Sequence, residues 1–191
     1  MIRAGETIEN PITGERVTFL KTSAETDGES VLIDTIVASG GFVAAEHLHP
    51  YQSERFEILE GEVEFEVDGE IAVARAGDVV MVEPGTPHRF RNTGDEEIRF
   101  RCEVRPALTF ETFLETMFAL AADGKTNKKG LPNPFHLAVI MEEHFDLVRL
   151  PFPPAWMQRT GLVLGAPLGK LLGYEPTYLT EVVLARPDMA A

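Results

Sequence analysis

Cysteine is nearly absent. Cys102 is the only one in 191 residues, so no disulfide can form within the chain, a usage that fits a reducing cytoplasm. Basic residues are scarce as well: 17 Lys and Arg stand against 31 Asp and Glu, a formal charge of −14. That balance argues against a surface for nucleic acid or anionic membrane and favours neutral or cationic partners. Long apolar runs are missing too. The N-terminus, MIRAGETIEN, has none after its arginine, so no signal peptide is expected. The longest candidate, Gly161 to Leu172, is broken by Gly165, Pro167, Gly169 and Lys170 and falls short of a membrane span. Tandem repeats and low-complexity tracts are absent. What is present, 44% hydrophobic residues, suffices for one compact core with a helical appendage rather than two independent domains.

The residue pattern divides near Pro106. Residues 1–16 are polar with turn signals at Asn10-Pro11 and Thr13-Gly14, and the first strand is expected over Val17 to Thr22. A polar loop, Ser23 to Ser30, precedes a β-branched strand from Val31 to Ser39 that stops at Gly40-Gly41. From Phe42 to Val104 the period is two almost throughout, so His47 and His49 would share one strand face. Glu54, Phe56 and Ile58 share the next. Apolar parity flips at Glu60-Gly61, where a bulge or tight bend is expected, and Asp68-Gly69 is the strongest hairpin signal. Val79 to Val82 is apolar on both faces. The last strand sets Ile98, Phe100, Cys102 and Val104 against Arg99, Arg101, Glu103 and Arg105. Short, evenly spaced strands of this kind predict an antiparallel β-barrel or sandwich. Beyond Pro106 the period becomes helical: Phe110, Phe113, Leu114, Met117 and Phe118 form a stripe, with Thr109 as N-cap and Gly124 as stop. A second helix is expected over Phe135 to Phe145 and a third from Ala155 towards Leu172, with the last few residues disordered. The domain reading is therefore a barrel over 1–106 and a helical extension over 107–191, packed on the barrel or on a partner subunit.

Four side chains in this frame carry chemistry. His47 and His49 are presented together, Glu54 follows on the next strand and His88 on a third. Three nitrogens and one oxygen can close around a single divalent transition metal and leave one or two coordination positions open. Fe, Mn, Ni, Cu and Zn all remain open as its identity. Gly41, His47, His49, Glu54 and Gly61 fit G-x5-H-x-H-x4-E-x6-G, and Gly77, Gly85, His88 and Asn92 fit G-x5-P-x-G-x2-H-x3-N, with Glu83 in place of its proline. These are the two cupin motifs, and the chain resembles a single-domain cupin from Gly41 to about Val104. The resemblance implies a small antiparallel barrel with a metal near its open end, held by His47, His49, Glu54 and His88. It implies also that Glu54 can exchange between ligand and base, and it makes a homodimer one expectation, since cupins often dimerise. The Glu83 departure bears on the rigidity of the turn before His88.

Other side chains have plainer readings. His136 and His144 lack partner spacing and suit surface or hydrogen-bonded structural roles. Glu62, Glu64 and Glu66 suggest calcium at first sight, but a solvated strand face paired with the arginines of Arg99 to Arg105 is the better reading. Cys102 reads as a small buried residue. Tyr51 and Gln52, in the turn between the ligands, are substrate-contact candidates, and Phe56, Phe65, Met81 and Phe90 are candidates for the pocket wall. The function expected is a metal-dependent enzyme on a small organic molecule, an oxygenase resembling the quercetinase-type cupins. Isomerisation or hydrolysis through a Lewis-acid metal is the nearest alternative. A small-molecule binding module with a structural metal is an alternative of a different kind, and one fold hosts all three.

Overall fold

The computed structural model describes residues 2–179, so the expectation for the last few residues falls outside it. Within that span nine strands precede three helices: β1 Thr7–Asn10, β2 Glu15–Lys21, β3 Val31–Val37, β4 Ser53–Glu60, β5 Glu62–Val67, β6 Glu70–Arg75, β7 Val79–Val82, β8 His88–Arg91 and β9 Ile98–Arg105, then α1 Phe110–Ala122, α2 Pro134–Glu143 and α3 Ala155–Leu171. The strands form two antiparallel sheets, six strands in the order β1-β2-β3-β9-β4-β7 and three in the order β6-β5-β8. The architecture is the mainly-β barrel with C-terminal helices that the periodicity predicts. No helix among the described residues is long and apolar enough to cross a membrane.

The alternating pattern fixes which face goes inside. Along β9, Ile98, Phe100, Cys102 and Val104 are buried, and along β4 Glu54, Phe56 and Ile58 are. Phe56, Phe65, Phe90 and Phe100 meet between the sheets with ring centroids 5.1 to 6.4 Å apart, pairs worth about 0.5–1.5 kcal/mol each beyond their buried area. The predicted flip at Gly61 is real: its φ is +79°, and a Cβ there would sit 2.7 Å from Ile98 Cγ2. Gly41 is needed for closeness instead, since a Cβ would meet Val37 Cγ1 at 2.6 Å and the Thr13 carbonyl oxygen at 2.8 Å. Asn92 earns its motif position as a clasp, its amide nitrogen reaching the carbonyls of Val37, Ala38 and Glu96.

Several expectations fail for physical reasons. The polar N-terminus contains β1, which pairs with β2 through Thr7↔Thr18 to Asn10↔Glu15, and β2 begins at Glu15 rather than Val17. An edge strand that buries only alternate residues looks polar in sequence. Residues 42–49 bend at 44–45 and form only isolated bridges, Phe42↔Arg91 and His47↔His88 beside β8 and Leu48↔Arg149. The carboxylate row pairs with different arginines from those expected: Glu62 with Arg75, Glu64 with Arg91 and Glu66 with Arg89. β5 lies between β6 and β8, whereas β9 lies in the other sheet, where Arg99 reaches Asp34 at 2.8 Å. Val79 and Met81 are about half exposed, because β7 is a sheet edge with one face to solvent. Thr109 precedes α1 but its side chain makes no cap. Its hydroxyl is 2.8 Å from His144 Nδ1 instead.

The helices continue the barrel's core. Phe110, Met117, Phe118 and Leu120 of α1 belong to the same buried cluster as the strands. The helix is tied to the loop after β2 by Ser23, whose backbone N–H donates to Glu111 at 3.0 Å. α2 starts on Asn133, whose side chain accepts from Phe135 N at 2.9 Å, with Pro134 at the position that needs no donor. The chain then returns to the barrel, where Leu48 and Arg149 exchange backbone hydrogen bonds of 2.8 and 2.9 Å. α3 packs on α2 but leaves Trp156, Leu164 and Leu171 exposed.

Candidate metal centre

Three separate segments deliver the four side chains. Glu54 stands on the inward face of β4. His88 opens β8, and it exchanges backbone hydrogen bonds with His47 at 2.8 and 3.0 Å, which sets the two imidazoles side by side. His49 follows two residues on. Ring centroids are 5.1 Å apart for His47 and His49, 4.4 Å for His47 and His88, and 5.7 Å for His49 and His88. One ligand atom from each of the four lies within 4.8 Å of all the others. The turn before His88 keeps a proline one residue after the motif position, at Pro84, and closes through Thr86 N to the Glu83 carbonyl at 3.2 Å and Gly85 N to the His49 carbonyl at 2.8 Å.

The imidazole hydrogen bonds decide what this cluster can hold. Each ring places Nδ1 against a backbone carbonyl: His47 against Ala45 at 2.9 Å, His88 against Thr86 at 3.0 Å and His49 against Leu147 at 2.7 Å. A carbonyl only accepts, so each Nδ1 carries the proton and each neutral ring keeps an Nε2 lone pair. That is the arrangement that orients histidine ligands in metal sites. Among the described residues, His49 Nε2 and Glu54 Oε2 are buried with no hydrogen-bond donor. Glu54 Oε2 lies 2.7 Å from His88 Nε2 and 3.6 Å from His49 Nε2. The shorter separation is close to the roughly 2.9 Å between neighbouring ligand atoms at right angles on one ion with bonds near 2.0–2.1 Å. A cation is the partner these orphaned acceptors lack, and the donor set fits a divalent transition metal.

The electrostatics agree. Burial lowers the His47 pKa to about 3, with His88 and His49 adding to the effect, so the ring is neutral. Burial pushes Glu54 upward, but the imidazoles outweigh it, His49 foremost, and hold its pKa at about 2. Burial lowers His88, and the contact with Glu54 more than reverses this, so its pKa is raised. Cys102 sits 3.9 Å from Glu54 Oε1, and burial together with that carboxylate drives its thiol pKa well up, which leaves it inert as a nucleophile.

The cluster forms one end of a cavity of about 450 Å³ between the barrel and the helices. Its wall is overwhelmingly apolar, with Phe56, Phe90 and Phe100 from the strands and Phe110, Phe113 and Met117 from α1. The site candidates separate here. Phe56 and Phe90 line the cavity; Phe65 is buried behind it, Met81 faces outward, and Tyr51 is 60% exposed away from it. Gln52 is buried, with its amide donating to the carbonyls of Pro106 and Ala107 at 2.7 and 3.1 Å, so it holds the start of the helical region. His136 and His144 are buried and hydrogen-bonded, to the Glu175 carbonyl and to Thr109 respectively.

Two contributions escape the sequence reading. The Leu147 carbonyl that orients His49 comes from 98 residues away in the chain, and backbone groups leave no trace in residue identity. Glu15 and Thr35 also face the cavity. Extending the β2 alternation back from Phe19 and Val17 would have reached Glu15.

A family model described as a cupin domain matches residues 33–104. The chain is 37% identical to "Polyketide synthase CurC" of Streptomyces cyaneus, with 38% of this chain and 53% of that protein covered. It is 31% identical to "Protein SchB" of Streptomyces halstedii, covering 49% of this chain and 67% of that one. The chain thus spans about half the length of the first relative and two thirds of the second. Among solved structures, a predicted oxalate decarboxylase from Thermotoga maritima shares 24% identity at a TM-score of 0.49, covering 56% of this chain and 98% of that one.

Proposed function

This chain belongs to the cupin superfamily, and on that premise we propose that it is a metal-dependent oxygenase acting on a largely apolar small molecule. The observation that carries the reading is the convergence of three Nε2 lone pairs and the Glu54 carboxylate at one end of an apolar cavity. His47, His49, Glu54 and His88 would hold the ion. When bound, a redox-active ion there supplies the one-electron chemistry that dioxygen requires. The chain's own residues supply the rest. The phenylalanines of β4, β8, β9 and α1 bind and orient an apolar ligand and exclude water from the reacting end. The three carbonyls at Nδ1 fix the tautomer of the imidazoles and aim each Nε2 at the ion's position. Glu54, with a pKa of about 2, suits the ligand role better than that of a base, because so acidic a group retains a proton poorly. The name of the Streptomyces cyaneus relative fits a cavity of this character, and an aromatic, polyketide-like molecule is the substrate class we favour.

The cavity's apolar lining also favours a second reading, a non-catalytic binding module with the same ion in a structural role. Metal analysis of protein purified without chelators, beside His49→Ala, comes first. Near-stoichiometric iron, manganese, nickel or copper that is lost in the variant supports the oxygenase, and dioxygen uptake with aromatic substrates then separates it from the binding module. Zinc would move the reading to Lewis-acid isomerase or hydrolase chemistry. Failure to take up any of these metals would end the metalloenzyme reading. Homodimerisation belongs to the same proposal and is checked by light scattering.

A further inference from the structure

The cavity has a second polar end. Inward-facing positions of β2 and β3 are Val17, Phe19, Val31, Ile33 and Val37, all apolar, with two exceptions, Glu15 and Thr35. Both line the cavity. The register pairs Glu15 with Val37 and Val17 with Thr35, so Glu15 and Thr35 are diagonal neighbours on one face, a spacing within reach of one small group. Thr35 is 2% exposed and its Oγ1 has no partner among the described residues. A buried hydroxyl left unpaired is destabilising, and threonine is an unfavourable choice where valine would fill the same space. Glu15 receives one hydrogen bond, from Thr13 Oγ1 at 2.7 Å to Oε2, and Oε1 makes none. The loop at Gly130 closes over Thr13, since a Cβ at Gly130 would lie 3.1 Å from Thr13 Cγ2.

This end is far from the histidines. Across the six-stranded sheet Glu54 is level with Val104 and Val31, while Glu15 is level with Val37, six residues further along β3. Apolar residues fill the interval.

We propose that Glu15, Thr35 and Thr13 form a second polar subsite that receives a hydroxyl group on the ligand, at the end remote from the histidine cluster. The ligand class is therefore an elongated, mainly apolar molecule with a hydroxyl at the end remote from the histidines. Its hydroxyl donates to Glu15 and accepts from Thr35, which gives Thr35 Oγ1 the partner it lacks. Burial raises the Glu15 pKa to about 7, against the lowering effect of Thr13, so a neutral hydroxyl is a better match than a cation.

The inference takes from the proposed function that this cavity is the ligand site and that its ligand is aromatic, and its test uses metal-free protein so that oxygen chemistry plays no part. Binding of anthraquinone, which carries no hydroxyl, is compared by calorimetry with that of monohydroxyanthraquinone, whose one terminal hydroxyl can enter the subsite, in mildly acidic buffer. The wild-type protein is expected to prefer the monohydroxy probe by about tenfold, the value of one or two net hydrogen bonds. Thr35→Val and Glu15→Met should each remove most of that preference, losing affinity for the monohydroxy probe and not for anthraquinone. Thr35→Val keeps shape and should fold as wild type, so a folding failure of Glu15→Met leaves the comparison intact. Equal affinity for the two probes, or a preference that survives in Thr35→Val, overturns the subsite and leaves the metal centre untouched. Binding of neither probe overturns the cavity as a ligand site, and the subsite with it.

Discussion

Two carboxylates face one cavity and are driven in opposite directions. Glu54 is surrounded by three imidazoles, which overcome burial and hold its pKa at about 2. Glu15 has only a threonine hydroxyl beside it, so burial wins and its pKa rises to about 7. The residue type is the same and both line the cavity, and the difference follows their neighbours. Environments that push like groups apart are how a single site divides its labour. An ionised oxygen belongs where a cation is to be held, and a neutral carboxyl belongs where an uncharged group is to be recognised.

The largest effect expected from breaking this contrast is at Glu54. Glu54→Gln should cost more than ~100-fold in metal affinity, because even groups that merely support metal ligands are worth 10–100-fold. Glu15→Gln should leave metal affinity unchanged. Competition with a chelator measures both, and equal losses would mean that the two ends of the cavity are not independent.

The next effect concerns pH. An unfolded chain releases the Glu15 proton near 4.5, but the folded barrel releases it only near 7. Between those values the native state binds the extra proton, so stability falls as pH rises, by up to roughly 3 kcal/mol, and the penalty is constant above that window. Glu15→Gln removes the penalty. Its stability relative to wild type should therefore climb across the window and stay level on either side, as urea titrations at a series of pH values would show. A difference independent of pH would place Glu15 in contact with water. His47 gives the opposite slope: its pKa is lowered from 6.5 to about 3, so its contribution is lost as acid drives a proton onto a ring that the fold keeps neutral.

These two ends were unequally legible in the sequence. The histidine end was written in residue types at fixed spacing, and the strand alternation that supports it was long enough to place Glu54, Phe56 and His88 on inward faces. Glu15 sat in a polar segment that looked like a loop, and its inward direction showed only when the alternation of Phe19 and Val17 was carried back through the turn signals that precede it. The support of His49 was hidden for another reason. Two of the three imidazoles lean on carbonyls two residues away, those of Ala45 and Thr86, but His49 leans on Leu147. A contact made by backbone across 98 residues is a property of the fold.

That difference predicts a smaller effect. Thr109 Oγ1 holds His144 at 2.8 Å, and the His144 carbonyl accepts from Leu147 N at 2.9 Å. Thr109→Val removes one hydrogen bond, worth about 1 kcal/mol, and loosens the turn that presents the Leu147 carbonyl. Metal affinity should fall by roughly three- to tenfold, with Thr109→Ser restoring it. An unchanged affinity in Thr109→Val would show that the barrel alone orients His49.

The smallest effect tests why Thr35 is there at all. Valine has the shape of threonine without its hydroxyl, and Thr35 Oγ1 has no partner among the described residues. Replacing a buried, unpaired polar group by an apolar one of the same shape is neutral or stabilising, so Thr35→Val should unfold at the same or a slightly higher urea concentration, a gain of at most about 1–2 kcal/mol. Thr116 provides the contrast. It is just as buried, but its Oγ1 accepts from Tyr178 N at 3.2 Å, and Thr116→Val should lose stability because it strands that donor. If Thr35→Val is the more destabilised of the pair, its hydroxyl is already satisfied within the folded protein, and no ligand group is needed to account for it. If it is the more stable, folding cannot be the reason for a hydroxyl at that position, and ligand recognition is the explanation that remains.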